Sequence, residues 1–314
     1  MYEVRRILVP TDFSPSAADA FDHAILLGER FNAELTLLHV DEEIVSPRCA
    51  LNAGGPPRGD AQAGKEQFFE DQFALLRKRA AGHSINVQTR VASGRAYMVI
   101  AEESERDAWD LIVLAVHGWT GLSEHLIGST AERVVRLAHQ PVLSVRQGPT
   151  NEGHPASILC PTDLSLSGNI ALSYALSIAR RYKATLYIQY VSELDKPELE
   201  SELRQRLPDL REFHPMADEV SVEWLFDRDV DPSNSIIRFA EDRDVDLIVM
   251  SLYGRKGIRR VYIGNTSAEV VRQSSRPVLT VPHPFVRQIF SHPMADRITV
   301  SSQLRTTQER RAGA

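Results

Sequence analysis

The sequence predicts an α/β protein made of two tandem, doubly wound parallel sheets with helices on both faces. Three observations carry that prediction. Leu111 to Val116 and Leu247 to Met250 are unbroken apolar runs of strand length, a pattern that suits parallel strands covered on both sides. Each run is followed by glycines at the same spacing, Gly118 to Gly128 and Gly254 to Gly264, and Pro141 and Pro277 continue the register. The segment Ile7-Leu-Val-Pro10-Thr11-Asp12-Phe13-Ser14 returns as Ile158-Leu-Cys-Pro161-Thr162-Asp163-Leu164-Ser165. Two copies of one domain follow, over residues 1–147 and 156–283, with a polar tail over 284–314.

The elements of the first copy can be justified in order. Arg6 to Pro10 is a short buried strand. Ser14 is placed to cap the next helix, with Pro15 at its first position. That helix runs to about Phe31, and Ala17, Ala20, Phe21, Ala24 and Leu27 keep one face apolar. It crosses over to a second strand, Glu34 to Val40, and a right-handed crossover of this size defines a parallel sheet. From about Asp41 to Gly64 neither period is present, and Pro47, Gly54-Gly55-Pro56-Pro57 and Gly59 predict a long loop. It leaves the ligand side of the sheet, so it is either a lid or a solvated insertion. A helix over Lys65 to Ala81, a strand over Ile85 to Val91 and a helix over Ala96 to Arg106 lead to the Leu111 run. A last helix and the strand at Val142 to Val145 complete the copy.

The second copy repeats the plan after a linker over Arg146 to Ala156. A helix to about Tyr182, a strand from Thr185 to Val191, a charged helical stretch from about Glu198 to Phe213, a strand from Val220 to Phe226 and a helix from Asn234 to Asp242 precede the second motif. His214-Pro-Met-Ala-Asp218 recurs as His292-Pro-Met-Ala-Asp296, a repetition with no account at this stage.

Composition narrows the class of function. With 314 residues, 43% hydrophobic and 25% charged, the chain is ordinary globular material with enough length for two cores. A formal net charge of -6 and a pI near 6.0 give no general attraction to nucleic acid or to anionic membrane. The N-terminus enters a strand almost at once without the apolar core of a signal peptide, and no apolar run approaches membrane-spanning length. A cytoplasmic location is the expectation. Cys49 and Cys160 form neither a disulfide framework nor a metal cluster, and Cys160 reads as a small buried apolar residue.

In doubly wound sheets ligands sit beyond the strand ends where the winding reverses, here between the first and fourth strands of each copy. Asp12 ends one of those strands and Gly118 the other, so the two should converge. Gly128-Ser129-Thr130 opens a helix, and its free N–H groups make an anion seat for which phosphate is the common occupant.

At these residues the chain resembles the universal stress protein family in its tandem form, over roughly residues 3–283. The family's nucleotide motif is Gly, two residues, Gly, nine residues, then Gly-Ser or Gly-Thr. Ala115-Val-His117-Gly118 to Gly128-Ser129 matches with one change, Ala115. Ser251-Leu-Tyr-Gly254 to Gly264-Asn265 departs at Ser251 and at Asn265, both still small residues. The resemblance, with the crossover rules, implies strand order 3-2-1-4-5 in each copy and fifth strands that face each other across the copies. It also implies an adenine-nucleotide-binding regulator of stress responses, holding ATP with or without Mg.

The ligand-facing residues that follow are Pro10, Thr11, Asp12, Val40, Ala115, His117, Gly118, Gly128, Ser129 and Thr130 in the first copy. In the second they are Pro161, Thr162, Asp163, Val191, Ser251, Gly254, Gly264, Asn265 and Thr266. By the resemblance the two aspartates lie near the ribose or a bound metal, and the two valines touch adenine. The bland alternatives are helix-entry carboxylates, core valines, and glycines that serve only the loop turns. No Lys or Arg lies between Gly118 and Gly128, so backbone dipoles or a metal must meet phosphate charge in the first copy, whereas Arg255, Lys256, Arg259 and Arg260 supply cations in the second.

No acid–base pair, nucleophile pair or metal-ligand spacing stands out, and the Gly-Lys-Ser or Gly-Lys-Thr phosphate loop of fast ATPases is absent. The leading reading is a nucleotide-binding regulatory module with no dedicated catalytic residues, acting through protein partners or homo-oligomerisation. The alternatives are a slow ATP hydrolase or an autophosphorylating enzyme using Ser129 or Thr130, and a nucleotide-free scaffold.

Overall fold

A computed structural model describes residues 3–42, 61–106, 109–118, 128–146, 155–192, 207–253 and 265–283, with the single positions 201 and 205. The glycine-rich stretch over 43–60, the loops after Gly118 and Tyr253, and the tail with its second His-Pro-Met-Ala-Asp segment lie outside the described residues.

The strands are β1 (Arg6–Thr11), β2 (Glu34–Asp41), β3 (Val87–Ser93), β4 (Leu111–Ala115) and β5 (Val142–Val145), then β6 (Ser157–Pro161), β7 (Thr185–Ser192), β8 (Val222–Arg228), β9 (Leu247–Ser251) and β10 (Val278–Val281). The helices are α1 (Pro15–Phe31), α2 (Ala61–Arg79), α3 (Ala96–Arg106), α4 (Ser129–Leu137), α5 (Leu166–Tyr182), α6 (Pro232–Asp242) and α7 (Asn265–Gln273). All ten strands form one sheet in the order β3-β2-β1-β4-β5-β10-β9-β6-β7-β8. Each half therefore has the expected 3-2-1-4-5 order, and every pairing is parallel except the central one. There β5 meets β10 antiparallel, with Leu279 opposite Leu143 and Thr280 opposite Val142, and Thr280 Oγ1 donates to the carbonyl of Val142 at 3.2 Å.

The unbroken apolar runs are explained by this burial: Leu111 to Leu114 and all of β5 and β10 are covered on both faces. On one face, α1 and α5 lie over a single apolar core running from Ile7, Val9 and Leu35 in the first half to Ile158, Leu186 and Ile188 in the second. On the opposite face of the second half, Ile236 of α6 and Val270 of α7 pack with Leu159, Ile248 and Met250. Cys160 lies in the shared core without exposure, and burial pushes its thiol up to about 12, so it behaves as an apolar filler.

Local chemistry sets the helix ends. Ser14 Oγ accepts from Ala17 N at 3.1 Å, and Ser165 Oγ accepts from Gly168 N at 3.2 Å, so both crossover helices begin with a hydroxyl cap. They end on left-handed residues, Asn32 and Lys183. Several boundaries differ from the sequence expectation. The second helix begins at Ala61, four residues inside the predicted loop, and β3 occupies Val87–Ser93 because pairing with β2 through Asp41 and Ser93 extends it past Val91. Of the expected helix over 198–213, the described positions Ser201 and Gln205 are helical, and its end is a 3-10 turn, Leu210–Glu212. His214 is buried there, and its Nδ1 accepts from Met216 N at 3.2 Å, so the first His-Pro-Met-Ala-Asp segment is a turn before β8.

Candidate functional site

The candidate sites lie at the strand C-termini, one per half. The first is built on the turn after β1. Thr11 Oγ1 accepts from Phe13 N at 3.0 Å, and Asp12 Oδ1 accepts from Ser14 N at 3.0 Å. Together they hold Phe13 at φ +61, a conformation that a bulky residue adopts only when its surroundings impose it. The ring is used: it stacks on His39 at 4.4 Å and meets Phe73 of α2 edge-on at 5.2 Å. His39 donates from Nδ1 to the carbonyl of Thr11 at 2.9 Å, and burial lowers its pKa against the opposing pull of Asp41 and Asp12. The turn is thus locked from beneath, and the second oxygen of Asp12 points outward.

That oxygen meets β4. A Cβ added to Gly118 would lie 2.3 Å from Asp12 Oδ2, so the predicted convergence of strand tips is observed and no side chain fits between them. Past the intervening loop, Gly128 N donates to Val116 O at 2.8 Å, and a Cβ there would lie 3.0 Å from the same oxygen. Gly128 precedes α4 and supplies no side-chain cap, so among the described residues no side-chain cap meets the positive end of the helix. Ser129 is exposed, and Thr130, Ala115 and His117 are half-buried around it.

A cation that the sequence reading missed stands beside this seat. Arg146, just past β5, donates from Nη1 to His117 Nε2 at 2.9 Å, and from Nη2 to the carbonyl of Arg272 at the end of α7. Burial, then the Arg146 charge, lowers the His117 pKa. The residue escaped notice because it lies outside the motif's spacing. Only the β4–β5 pairing, Ala115 opposite Val145, brings it next to His117.

Toward the C-terminal ends of β1 and β2, Pro10 pairs with Leu38, and Val40, one residue before the end of β2, lies opposite Ala92. Lys65 Nζ ties α2 to Asp41 at 2.6 Å, and Glu42 Oε1 accepts from Ala96 N at 2.7 Å at the start of α3.

The second crevice repeats the turn. Thr162 Oγ1 accepts from Leu164 N and Asp163 Oδ1 from Ser165 N, each at 3.0 Å, with Leu164 at φ +56. Pro161 pairs with Gln189, and Val191 ends β7 opposite Asp227. At the tip of β9, Ser251 Oγ donates to the carbonyl of Tyr253 at 3.1 Å, and Ser267 Oγ donates to the carbonyl of Ser251 at 2.9 Å. The hydroxyl at the departed glycine position is thus satisfied within the protein. Asn265 opens α7 and Thr266 is half-buried in its first turn. Gly254 and Gly264 lie outside the described residues, as does Trp119.

The universal stress protein family model matches residues 3–146 and again 156–282. The chain belongs to the universal stress protein family. One relative, a universal stress protein of Methanocaldococcus jannaschii, is 37% identical over 143 residues, covering 46% of this chain and 82% of its own length. The Synechocystis universal stress protein Slr1230 is 22% identical over 297 residues, with 88% of this chain and 99% of its own length covered, so it shares the tandem length. A solved universal stress protein from Archaeoglobus fulgidus superimposes with a TM-score of 0.68 at 18% identity, covering 90% of this chain and 97% of that one, which shows the shared fold.

Among the described residues no group of three or more His, Cys, Asp or Glu side chains is arranged to hold a metal ion, and no helix is long and apolar enough to cross a membrane. The first crevice fits a phosphorylated ligand on its own terms: a cradle that a single Cβ would fill, an uncapped helix end, and a guanidinium beside it.

Proposed function

We propose that this universal stress protein is an ATP-binding regulatory module, with a nucleotide held across each pair of strand tips. The observation that carries the reading is the pairing of Gly118 with Asp12 near the N-terminus of α4, whose cap residue is a glycine. The bare backbone at Gly118 and Gly128 lets phosphates approach closely, and Arg146 adds charge that the motif loop lacks. Asp12 and Asp163 take the ribose, and Val40 and Val191 flank the base. Any Mg arrives with the phosphates, with an aspartate available as one ligand.

The same geometry favours holding over turnover. The first seat has small residues, dipoles and a neutral imidazole, but no lysine poised as in fast phosphate loops. Occupancy changes the surface at the strand tips, which protein partners or a second copy of the chain then read. The protein acts in the cytoplasm, away from membranes and nucleic acid. Full-length protein stripped of ligand and incubated with ATP and Mg is expected to bind nucleotide by isothermal titration while releasing no phosphate above the spontaneous rate. Steady phosphate release would replace this reading with an enzyme, and no binding would reduce the protein to a scaffold.

A further inference from the structure

The two crevices differ at the end where the base would lie. In the first half the register pairs Pro10 with Leu38 and Val40 with Ala92, an apolar wall. In the second half the same register positions carry Gln189, opposite Pro161, and Asp227, opposite Val191. Tyr187 and Val191 pack on the α6 face of the sheet, and Gln189 lies between them with the same strand parity, so it shares that face. Asp227, paired directly with Val191, stands beside it.

Three side chains form one cluster there. Gln189 is fully buried, and its Nε2 donates to Asp227 Oδ2 at 2.6 Å and to Ser235 Oγ at 3.3 Å. Ser235, in the first turn of α6, donates its hydroxyl to Asp227 Oδ2 at 3.3 Å. Both amide hydrogens and the hydroxyl hydrogen are therefore spent inside the cluster. Acceptors remain: the half-buried Asp227 carboxylate, and Gln189 Oε1, which is buried with no partner among the described residues. A buried acceptor without a donor costs free energy, so this one favours a donor from outside the cluster.

We propose that the second crevice reads its base through N–H donors, which makes it selective for a guanine-type nucleotide over an adenine-type one. This rests on the nucleotide reading of both crevices given above. Asp227 Oδ2 is engaged by Gln189 and Ser235, and Oδ1, the oxygen outside the cluster, accepts an N–H donor such as N1 or N2 of guanine. Adenine offers one exocyclic amino group next to the N1 lone pair, which a carboxylate repels. The apolar wall at Leu38 and Ala92 offers no side-chain acceptor to the N1 and N2 hydrogens of guanine, which would be buried there unpaired, so the first crevice keeps adenine.

The test uses the full-length chain, stripped of ligand and titrated with ATP and with GTP by isothermal titration calorimetry. GTP is expected to occupy one site per chain while ATP still fills another. Asp227→Asn should weaken GTP about tenfold, the scale of one charge-assisted base contact, and leave the ATP site unchanged. Ser235→Ala, which frees the carboxylate to rotate, should move GTP affinity in the same direction and decides the matter if Asp227→Asn does not fold. ATP filling two sites with no GTP bound, or GTP affinity indifferent to both substitutions, overturns the inference and leaves the nucleotide reading standing. Failure of both nucleotides to bind removes both.

Discussion

At the scale of single residues, the first crevice depends on one missing atom. A methyl at Gly118 would stand 2.3 Å from Asp12 Oδ2, and Asp12 cannot move off freely because its other oxygen holds Ser14 N at 3.0 Å. Gly118→Ala therefore rotates the carboxylate and breaks that turn. The expected cost to folding is about 1 kcal/mol, that of one hydrogen bond, because the position lies at the surface end of the strand. The expected cost to ATP affinity is about tenfold or more, since the methyl also occupies the cradle. Denaturant midpoint and ATP titration on the same preparation separate the two effects, and a variant that binds ATP normally would show that the cradle is not the seat.

The site was only partly legible at this scale. Asp12 and Gly118 could be placed together from the sequence because strand order alone brings their strand tips into contact. Arg146 and Asp227 could not. Neither belongs to a spaced motif, and each acquires its role from the residue opposite it on a neighbouring strand, Val145 beside Ala115 and Val191 beside Asp227.

At the scale of elements, the turn after β1 and helix α2 act as one unit through Phe13, His39, Phe69 and Phe73. Phe13 stacks on His39, and His39 lies 4.6 Å from Phe69. Burial depresses the His39 pKa, so the folded protein holds the ring neutral where the unfolded chain, near 6.5, takes a proton. The sign follows from that difference. Stability from this group is complete above pH 6.5 and falls as the pH drops below it, because the unfolded state binds more protons. His39→Phe keeps the stacking and removes the titration. It should flatten the acid side of the stability curve by about one proton, at most about 1.4 kcal/mol per pH unit. Urea unfolding between pH 5 and 7.5 measures this, and an unchanged slope would show that His39 protonates freely in the fold. The helix α2 was foreseen from periodicity, whereas its first turn at Ala61 was masked by the loop composition before it.

At the scale of the whole molecule, residues 1–282 form one compact unit because β5 and β10 join two sheets into one. The strand join is three register pairs centred on Leu143 and Leu279, the core beneath α1 and α5 passes through it without a break, and Arg146 and Arg181 add hydrogen bonds between the halves to the carbonyls of Arg272 and Arg30. Unfolding should consequently be a single cooperative transition. Leu279→Asp puts a carboxylate into a position 3% exposed, directly opposite Leu143. It should cost about 3–5 kcal/mol and split the calorimetric transition into two, one per half. A single transition with unchanged midpoint would mean that the halves are held together elsewhere.

The sequence by itself determined the duplication, the α/β class and the positions where backbone must be bare, because each is written in local terms: apolar runs, helix caps, glycine spacing. Only the tertiary structure decided which polar groups serve a crevice and which serve the scaffold. Ser251 turned inward to the carbonyl of Tyr253, while Arg146 was delivered to His117 from beyond β5. A hydrogen bond between strands depends on register, and register is fixed by the packing of the whole sheet, so no stretch of sequence carries it alone.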